Sequence, residues 1–298
     1  MSVTHETVSI ASQGLSAEIS ALGAEMVKLA DAQGRDLLWN GDPQYWKGRA
    51  PILFPVVGAV KGGHYTFDGK EYPLARHGFA RTRRFEIVTR EPQRAVMRLE
   101  ADKRTRAEYP FDFQLDVTYA VEGPRLEVTA TVQNRGTVPM PACFGFHPAF
   151  RWPLPYGRPR EDHRLYFART ETAPIRRLDG EGLIEHETYP NPVDGRELIL
   201  ADELFEHDAL VFDQLASRSL TYSANDGPVI SIGFSDMSQL GLWTKPKAGF
   251  ICIEPWQGTA DLAGFEGDIR DKPGIVEISG GGKRDFTMSV TLSRGGIA

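Results

Sequence analysis

The feature that most constrains the fold of this chain is an alternation of apolar and polar residues at period two, recurring over most of its length. Leu126 to Val132 (LEVTATV), Phe111 to Ala120 (FDFQLDVTYA), Phe85 to Val88 and Phe286 to Leu292 (FTMSVTL) set β-branched or aromatic residues on one side and polar ones on the other. Successive side chains of a strand point to opposite faces, so each segment predicts a strand with one buried face. Turn-forming sequences punctuate them: Phe67-Asp68-Gly69-Lys70, Glu122-Gly123-Pro124, Asn134-Arg135-Gly136, Asn225-Asp226-Gly227 and Gly280-Gly281-Gly282. Connections this short join antiparallel neighbours. Helical spacing is scarce: Ala201 to Leu210 (ADELFEHDAL) is the best predicted helix, with short turns near Pro43 to Gly48. A sheet must bury its apolar face, and helices are too few to cover one, so the pattern predicts an all-β fold of two large antiparallel sheets packed face to face.

The 30 glycines and 20 prolines are spread along the chain instead of gathered into a linker, and no repeat is visible, so residues 1–298 read as a single domain. Hydrophobic residues at 41% and charged ones at 25% exclude disordered and fibrous classes. A net charge of −6 lacks the Lys/Arg excess that phosphate backbones and anionic lipids select, which argues against nucleic-acid and membrane partners. Cys143 and Cys252 are too few for a disulfide scaffold and lack CxxC spacing. The N-terminal MSVTHETVSIASQGLSAEIS does not read as a secretion signal, and no apolar run is long enough to span a bilayer, so a cytoplasmic location is expected.

Three segments place chemically capable side chains inside strand-like sequence: Arg76-His77-Gly78-Phe79-Ala80-Arg81, Phe144-Gly145-Phe146-His147-Pro148-Ala149-Phe150, and Ile251-Cys252-Ile253-Glu254-Pro255-Trp256-Gln257-Gly258. Only the fold could bring them together. Strand parity puts Cys143, Gly145 and His147 on one face, and Cys252, Glu254 and Trp256 likewise. Phe146, Phe150 and Trp256 are flat apolar groups of the kind on which a sugar ring stacks, so carboxylate, imidazole and aromatics together suit a carbohydrate. Taken singly, His147 fits a hydrogen-bonded structural histidine, Arg49 a salt-bridged one, and His77 a solvated basic loop. Glu254 stands between Ile253 and Pro255, where a buried carboxylate without a partner is costly. His5, His64, His163, His186 and His207 have no HxH or HExxH spacing, and no metal is assigned.

These segments, in this order and with their flanking glycines and prolines, resemble the aldose 1-epimerase (galactose mutarotase) superfamily, in particular its LacX-like branch. The likeness extends to Gly48-Arg49-Ala50-Pro51-Ile52-Leu53-Phe54-Pro55-Val56-Val57-Gly58, to Tyr109-Pro110-Phe111 and to Phe205 through Phe212. It implies a galactose mutarotase-like β-sandwich that interconverts α and β anomers of an aldose through the open-chain aldehyde, without a cofactor, acting on a small sugar as a monomer or homodimer. By that resemblance Glu254 corresponds to the general base, His147 to the general acid and His77 to a second histidine on the ring-oxygen side. Arg49 corresponds to the sugar-binding arginine and Asp208 to the aspartate that accepts sugar hydroxyls, with Asp213 as the alternative. Trp256 and Phe146 are expected at the sugar face.

Ordinary pKa values of about 4.3 and 6.5 would populate an ionised Glu and a protonated His together only between them, and mutual attraction is expected to widen that window. Where LacX-like chains read Gly-Arg after the paired valines, this chain has Gly58-Ala59. Arg76, Arg81, Arg83 and Arg84 crowd the His77 segment and could instead hold a phosphate, as in the superfamily's hexose-6-phosphate mutarotases. Two further classes remain: a non-catalytic sugar-binding module on the same sandwich, and a glycoside hydrolase or lyase. The last needs a second flanking carboxylate that the sequence does not offer convincingly.

Overall fold

The computed structural model describes residues 6–293. His5 lies outside them. The alternating segments form the largest sheet among the described residues, a nine-stranded antiparallel one. Its order is Glu197–Ile199, His163–Phe167, Ser219–Ala224, Val229–Gly233, Lys283–Ser293, Arg125–Asn134, Phe113–Glu122, Arg94–Glu100 and Glu86–Glu91. Along Arg125–Asn134 every second residue is buried, as the period-two reading requires. The Asp68-Gly69 and Asp226-Gly227 turns close hairpins, with Asp68 and Asp226 in the left-handed region that such turns need.

The second sheet runs Leu210–Phe212, Gln239–Trp243, Phe250–Gln257, Phe144–Phe146 and Ile52–Leu53, with Ala149–Arg151 also pairing to Phe250–Gln257. Its inner face meets the nine-stranded sheet. Ile251, Ile253, Phe144 and Phe146 pack there with Leu115, Val117, Val128 and Val290, and the Phe144 and Phe286 rings stack with centroids 5.0 Å apart. The sandwich predicted from the pattern is the observed architecture.

Two local expectations fail. Ala201 to Leu210 is not a helix: a 3₁₀ turn at Asp202–Phe205 stops, Asp208 turns left-handed at φ 62°, and the chain enters the strand Leu210–Phe212. The Arg177 guanidinium takes the Leu204 and Asp208 carbonyls at 3.0 and 3.1 Å, which supplies acceptors with a tertiary partner in place of a helical one. The one α-helix among the described residues, Lys103–Glu108, was not expected, although Asp102 and Thr105 form its reciprocal capping box.

Phe250–Gln257 is buried on both faces. Ile251 and Ile253 face the sandwich core, while Cys252, Glu254 and Trp256 face outward and are covered by loops. Those loops hold the segment His77-Gly78 close beneath the Phe54 carbonyl, which accepts from the Phe79 and Ala80 N–H groups at 3.0 and 3.2 Å. Gly78 sits at φ 69°, and a Cβ there would collide with the Phe54 carbonyl. Gly78→Ala should therefore lower stability by about 2 kcal/mol or more, read as a lower urea midpoint at unchanged m-value. An unaltered midpoint would show that the approach is looser than described.

Candidate active site

Trp256 lies over its own sheet because each neighbouring strand leaves it room with a glycine, Gly145 opposite it and Gly241 opposite Glu254: a Cβ at either would enter the indole. That leaves the outer face of the strand open to side chains standing on either side of the ring. Glu254 and His147 meet there, Oε2 to Nε2 at 3.2 Å, with side chains 2% and 8% exposed. Trp46 stacks on the His147 imidazole at 4.8 Å, and the rings of Trp243 and His77 abut it edge-on at 6.0 and 5.7 Å. Above the pair opens a cavity of about 290 Å³, on the scale of a small-molecule site. Besides these residues, Gly58, Arg76, Arg81, Asp208, Lys245, Leu178 and Ile184 line it.

The cavity gathers most of the residues singled out in the sequence: Glu254, His147, His77, Asp208 and Trp256. Four stand elsewhere. Phe146 is 1% exposed in the sandwich core, edge-on to Phe144, because parity turns it away from the face that Gly145 and His147 share. Phe150 is buried in the same core. Arg49 does not line the cavity either. Its N–H donates to Glu25 Oε1 at 2.6 Å and its guanidinium is taken by the Val27 carbonyl. The alternative aspartate, Asp213, is bound to Arg176 at 3.0 Å away from the cavity. Trp46 and Trp243 were missed, since nothing in their local sequence marks an indole that reaches across a loop.

The four arginines near His77 divide. Arg83 pairs with Glu108 and Arg84 with Glu6, whereas Arg76 and Arg81 line the cavity with no ion pair to a carboxylate among the described residues. Burial also reverses the expected titration of the pair. Desolvation drives the Glu254 carboxyl well above its usual range, opposed by the Arg76 charge and reinforced by Asp208. Desolvation pushes His147 down to about 3, and the Arg81 and Arg76 charges act the same way. Both shifts favour the uncharged forms, so burial favours a carboxyl that keeps its proton beside a neutral imidazole over an ion pair. His77 is likewise held well below its usual value by burial, then by His147 and the two arginines.

His77 is constrained further. It is a non-glycine residue at φ 68°, its N–H donates to the Gly58 carbonyl at 2.7 Å, and its Nδ1 accepts the Gly58 N–H at 3.0 Å. A neutral ring whose Nδ1 accepts carries its proton on Nε2, so His77 presents a donor on the edge away from Gly58. Two buried polar atoms beside the cavity, His147 Nδ1 and Trp256 Nε1, have no hydrogen-bond partner among the described residues, and Glu254 Oε2 has only its 3.2 Å contact with His147 Nε2, which is not a well-aligned hydrogen bond. Buried polar atoms are ordinarily satisfied, so their convergence marks where a ligand's polar groups would fit. His147, Cys252 and Glu254 also bring donor atoms within 4.8 Å of one another, a grouping able to hold a metal ion that sequence spacing does not reveal.

The profile of the aldose 1-epimerase family matches residues 6–267, and the chain belongs to that family. It is 31% identical over 282 residues to the plasmid-encoded LacX protein of Lactococcus lactis subsp. lactis, covering 91% of this chain and 94% of that one. The galactose mutarotase related enzyme of Lactobacillus acidophilus superposes with a TM-score of 0.89 at 28% identity, over 97% of both chains. A galactose mutarotase-like protein of Lactobacillus casei ATCC 334 gives 0.89 at 27%, over 97% of this chain and 100% of that one. No helix among the described residues is long and apolar enough to cross a membrane.

The reversed titration fixes the sign of a stability effect. Because the folded Glu254 keeps a proton that the unfolded chain releases above its ordinary 4.5, this group removes stability progressively as pH rises. His147, at about 3 when folded against 6.5 unfolded, removes stability as pH falls below about 6.5. The melting temperature of Glu254→Gln relative to the parent should therefore climb between pH 4.5 and pH 8. A pH-independent difference would mean that Glu254 ionises in place.

Proposed function

We propose that this protein is an aldose 1-epimerase, in which Glu254 and His147 move protons between the anomeric hydroxyl and the ring oxygen of a sugar held against Trp46, Trp243 and Trp256. The observation that carries the reading is the buried contact between these two groups, at the floor of an indole-lined cavity whose polar atoms lack partners. Opening a hemiacetal requires one group to take the O1 proton while another protonates O5; rotation about C1–C2 and reclosure then deliver the other anomer. Closure runs the same transfers backwards, so each group serves as acid in one half and base in the other.

The resting proton lies on Glu254. Passing it across the contact to His147 creates the ionised base and protonated acid that opening uses, and the Arg76 charge beside Glu254 favours that carboxylate. The Nε2–H of His77 then donates to an oxygen where negative charge develops, and Asp208 accepts from hydroxyls at the cavity wall. The pair holds one proton between about pH 3, where His147 gains a second, and the raised value of Glu254, where the last is lost. Activity should persist well below pH 6 and fall only on a basic limb.

A second reading rests on Arg76 and Arg81. Arg81 donates to the Arg76 carbonyl at 3.0 Å and feels the Glu25 charge, but neither Arg76 nor Arg81 has a carboxylate in ion-pair contact among the described residues, and both line the cavity. Guanidinium is suited to phosphate, which favours a sugar phosphate as substrate. Polarimetry on fresh α-D-glucose and α-D-galactose, and anomer-resolved NMR on their 6-phosphates, separates the readings. Glu254→Gln should cut kcat by about 10²- to 10⁴-fold with KM little changed. Arg76→Ala and Arg81→Ala should raise KM for phosphates more than for neutral sugars. Folded protein that accelerates none of these would instead be a sugar-binding module or act on another sugar.

A further inference from the structure

Beside the cavity, and outside its lining, stands a buried ion pair that touches none of the reacting groups. Lys272 and Asp261 are joined by a salt bridge with side chains 1% and 4% exposed. A buried pair of this kind gains little net stability over apolar residues of similar volume, so its contacts indicate what it holds in place. Asp261 Oδ2 accepts the Lys61 N–H at 2.9 Å, the Asp261 N–H donates to the Ala59 carbonyl at 2.9 Å, and its own carbonyl accepts from Ile184 at 2.8 Å. Both ends of the Ala59–Lys61 segment are thereby tied to one residue. Immediately before that segment stands Gly58, at φ 73° and packed so closely on Ala260 that a Cβ would overlap it. Gly58 in turn grips His77 twice, by the carbonyl that accepts its N–H and the N–H that donates to its Nδ1.

We infer that Asp261 and Lys272 are positioning residues for His77: the buried pair fixes the Gly58–Lys61 turn, and the turn fixes the His77 ring as the Nε2–H tautomer presented to the cavity. A shift of the turn by even half an ångström would weaken the 3.0 Å Gly58 N–H to Nδ1 bond and let the ring proton occupy either nitrogen. Half of the molecules would then offer the cavity an acceptor where a developing oxyanion needs a donor. The placement of Ile184 in the cavity wall follows from the same residue, through its N–H on the Asp261 carbonyl. The catalytic consequence rests on the epimerase reading above, whereas the tautomer does not.

The test uses the full chain with ¹⁵N-labelled histidine. Long-range ¹H–¹⁵N spectra distinguish protonated from bare ring nitrogens, and the parent should give His77 with Nε2 protonated and Nδ1 bare. Asp261→Asn should move both His77 nitrogens toward averaged shifts and lower kcat by about 10- to 100-fold, the scale for partners that orient a functional histidine, with KM changed less. Glu171→Gln is the control. That carboxylate is buried and accepts the Ala216 and Ser217 N–H groups far from the cavity, so its loss should lower the melting temperature without moving His77. If Asp261→Asn does not fold, Lys272→Gln is read in its place. A parent spectrum with Nδ1 protonated overturns the inference whether or not any variant folds, as does a folded Asp261 variant that melts earlier yet keeps the parent tautomer. If no sugar is turned over but the tautomer responds as stated, the positioning stands and the epimerase reading is what fails.

Discussion

A carboxylate placed on a strand that is buried on both faces is the constraint on which the rest of this structure depends. Ile251 and Ile253 commit one face of Phe250–Gln257 to the sandwich, so Glu254 must project from the other. That other face would be wet in a simple sandwich. Here Trp46, Trp243 and the loops around Asp208 and Ile184 cover it, and the carboxyl loses its water. Desolvating a charge without full compensation is unfavourable, and the molecule meets this by retaining the proton and by setting a neutral imidazole against it. The run of the strand is thus what pushes the Glu254 carboxyl toward keeping its proton.

The backbone around the cavity is held in conformations that side chains disfavour. His77 and Asp208 both occupy the left-handed region, where only glycine is at ease, and both line the cavity. Strain of this type persists only where surrounding contacts over-determine it. At His77 those contacts are the two bonds to Gly58 and the close approach of Gly78 to the Phe54 carbonyl; at Asp208 they include the Arg177 guanidinium on its carbonyl. The same Arg177 contact ended the helix expected over Ala201 to Leu210.

How much could be read from the sequence follows from which interactions are local. Strand periodicity and turn chemistry are local, so the antiparallel sheets and hairpins were legible, and parity along Phe250–Gln257 put Glu254 beside Trp256. The same parity argues against Phe146, whose neighbours Gly145 and His147 face the other way; stacking preference was allowed to outweigh it. Arg49 was carried by motif resemblance, but its guanidinium answers to Val27 and its backbone to Glu25, both brought near by a separate three-stranded sheet. Trp46, Trp243 and the division of four neighbouring arginines into two paired and two free depend on loops crossing in space, and no periodicity encodes that.

In the proposed reaction, the two cavity-lining arginines couple the charge of the substrate to the proton transfer between Glu254 and His147. Arg76 stabilises the ionised form of Glu254, and both arginines oppose protonation of His147. An anionic group seated on them would cancel part of this field. Its arrival would make the carboxylate harder to form and the imidazolium easier, two changes of opposite sign on the single transfer from Glu254 to His147. Because the arginines act on both members, neutralising them shifts the two acidities upward together and leaves the difference between them, which governs that transfer, less altered than either one. On the proposed epimerase reading, the acid–base pair would then work on a neutral or an anionic sugar alike, and the choice between them would rest on contacts at Arg76 and Arg81.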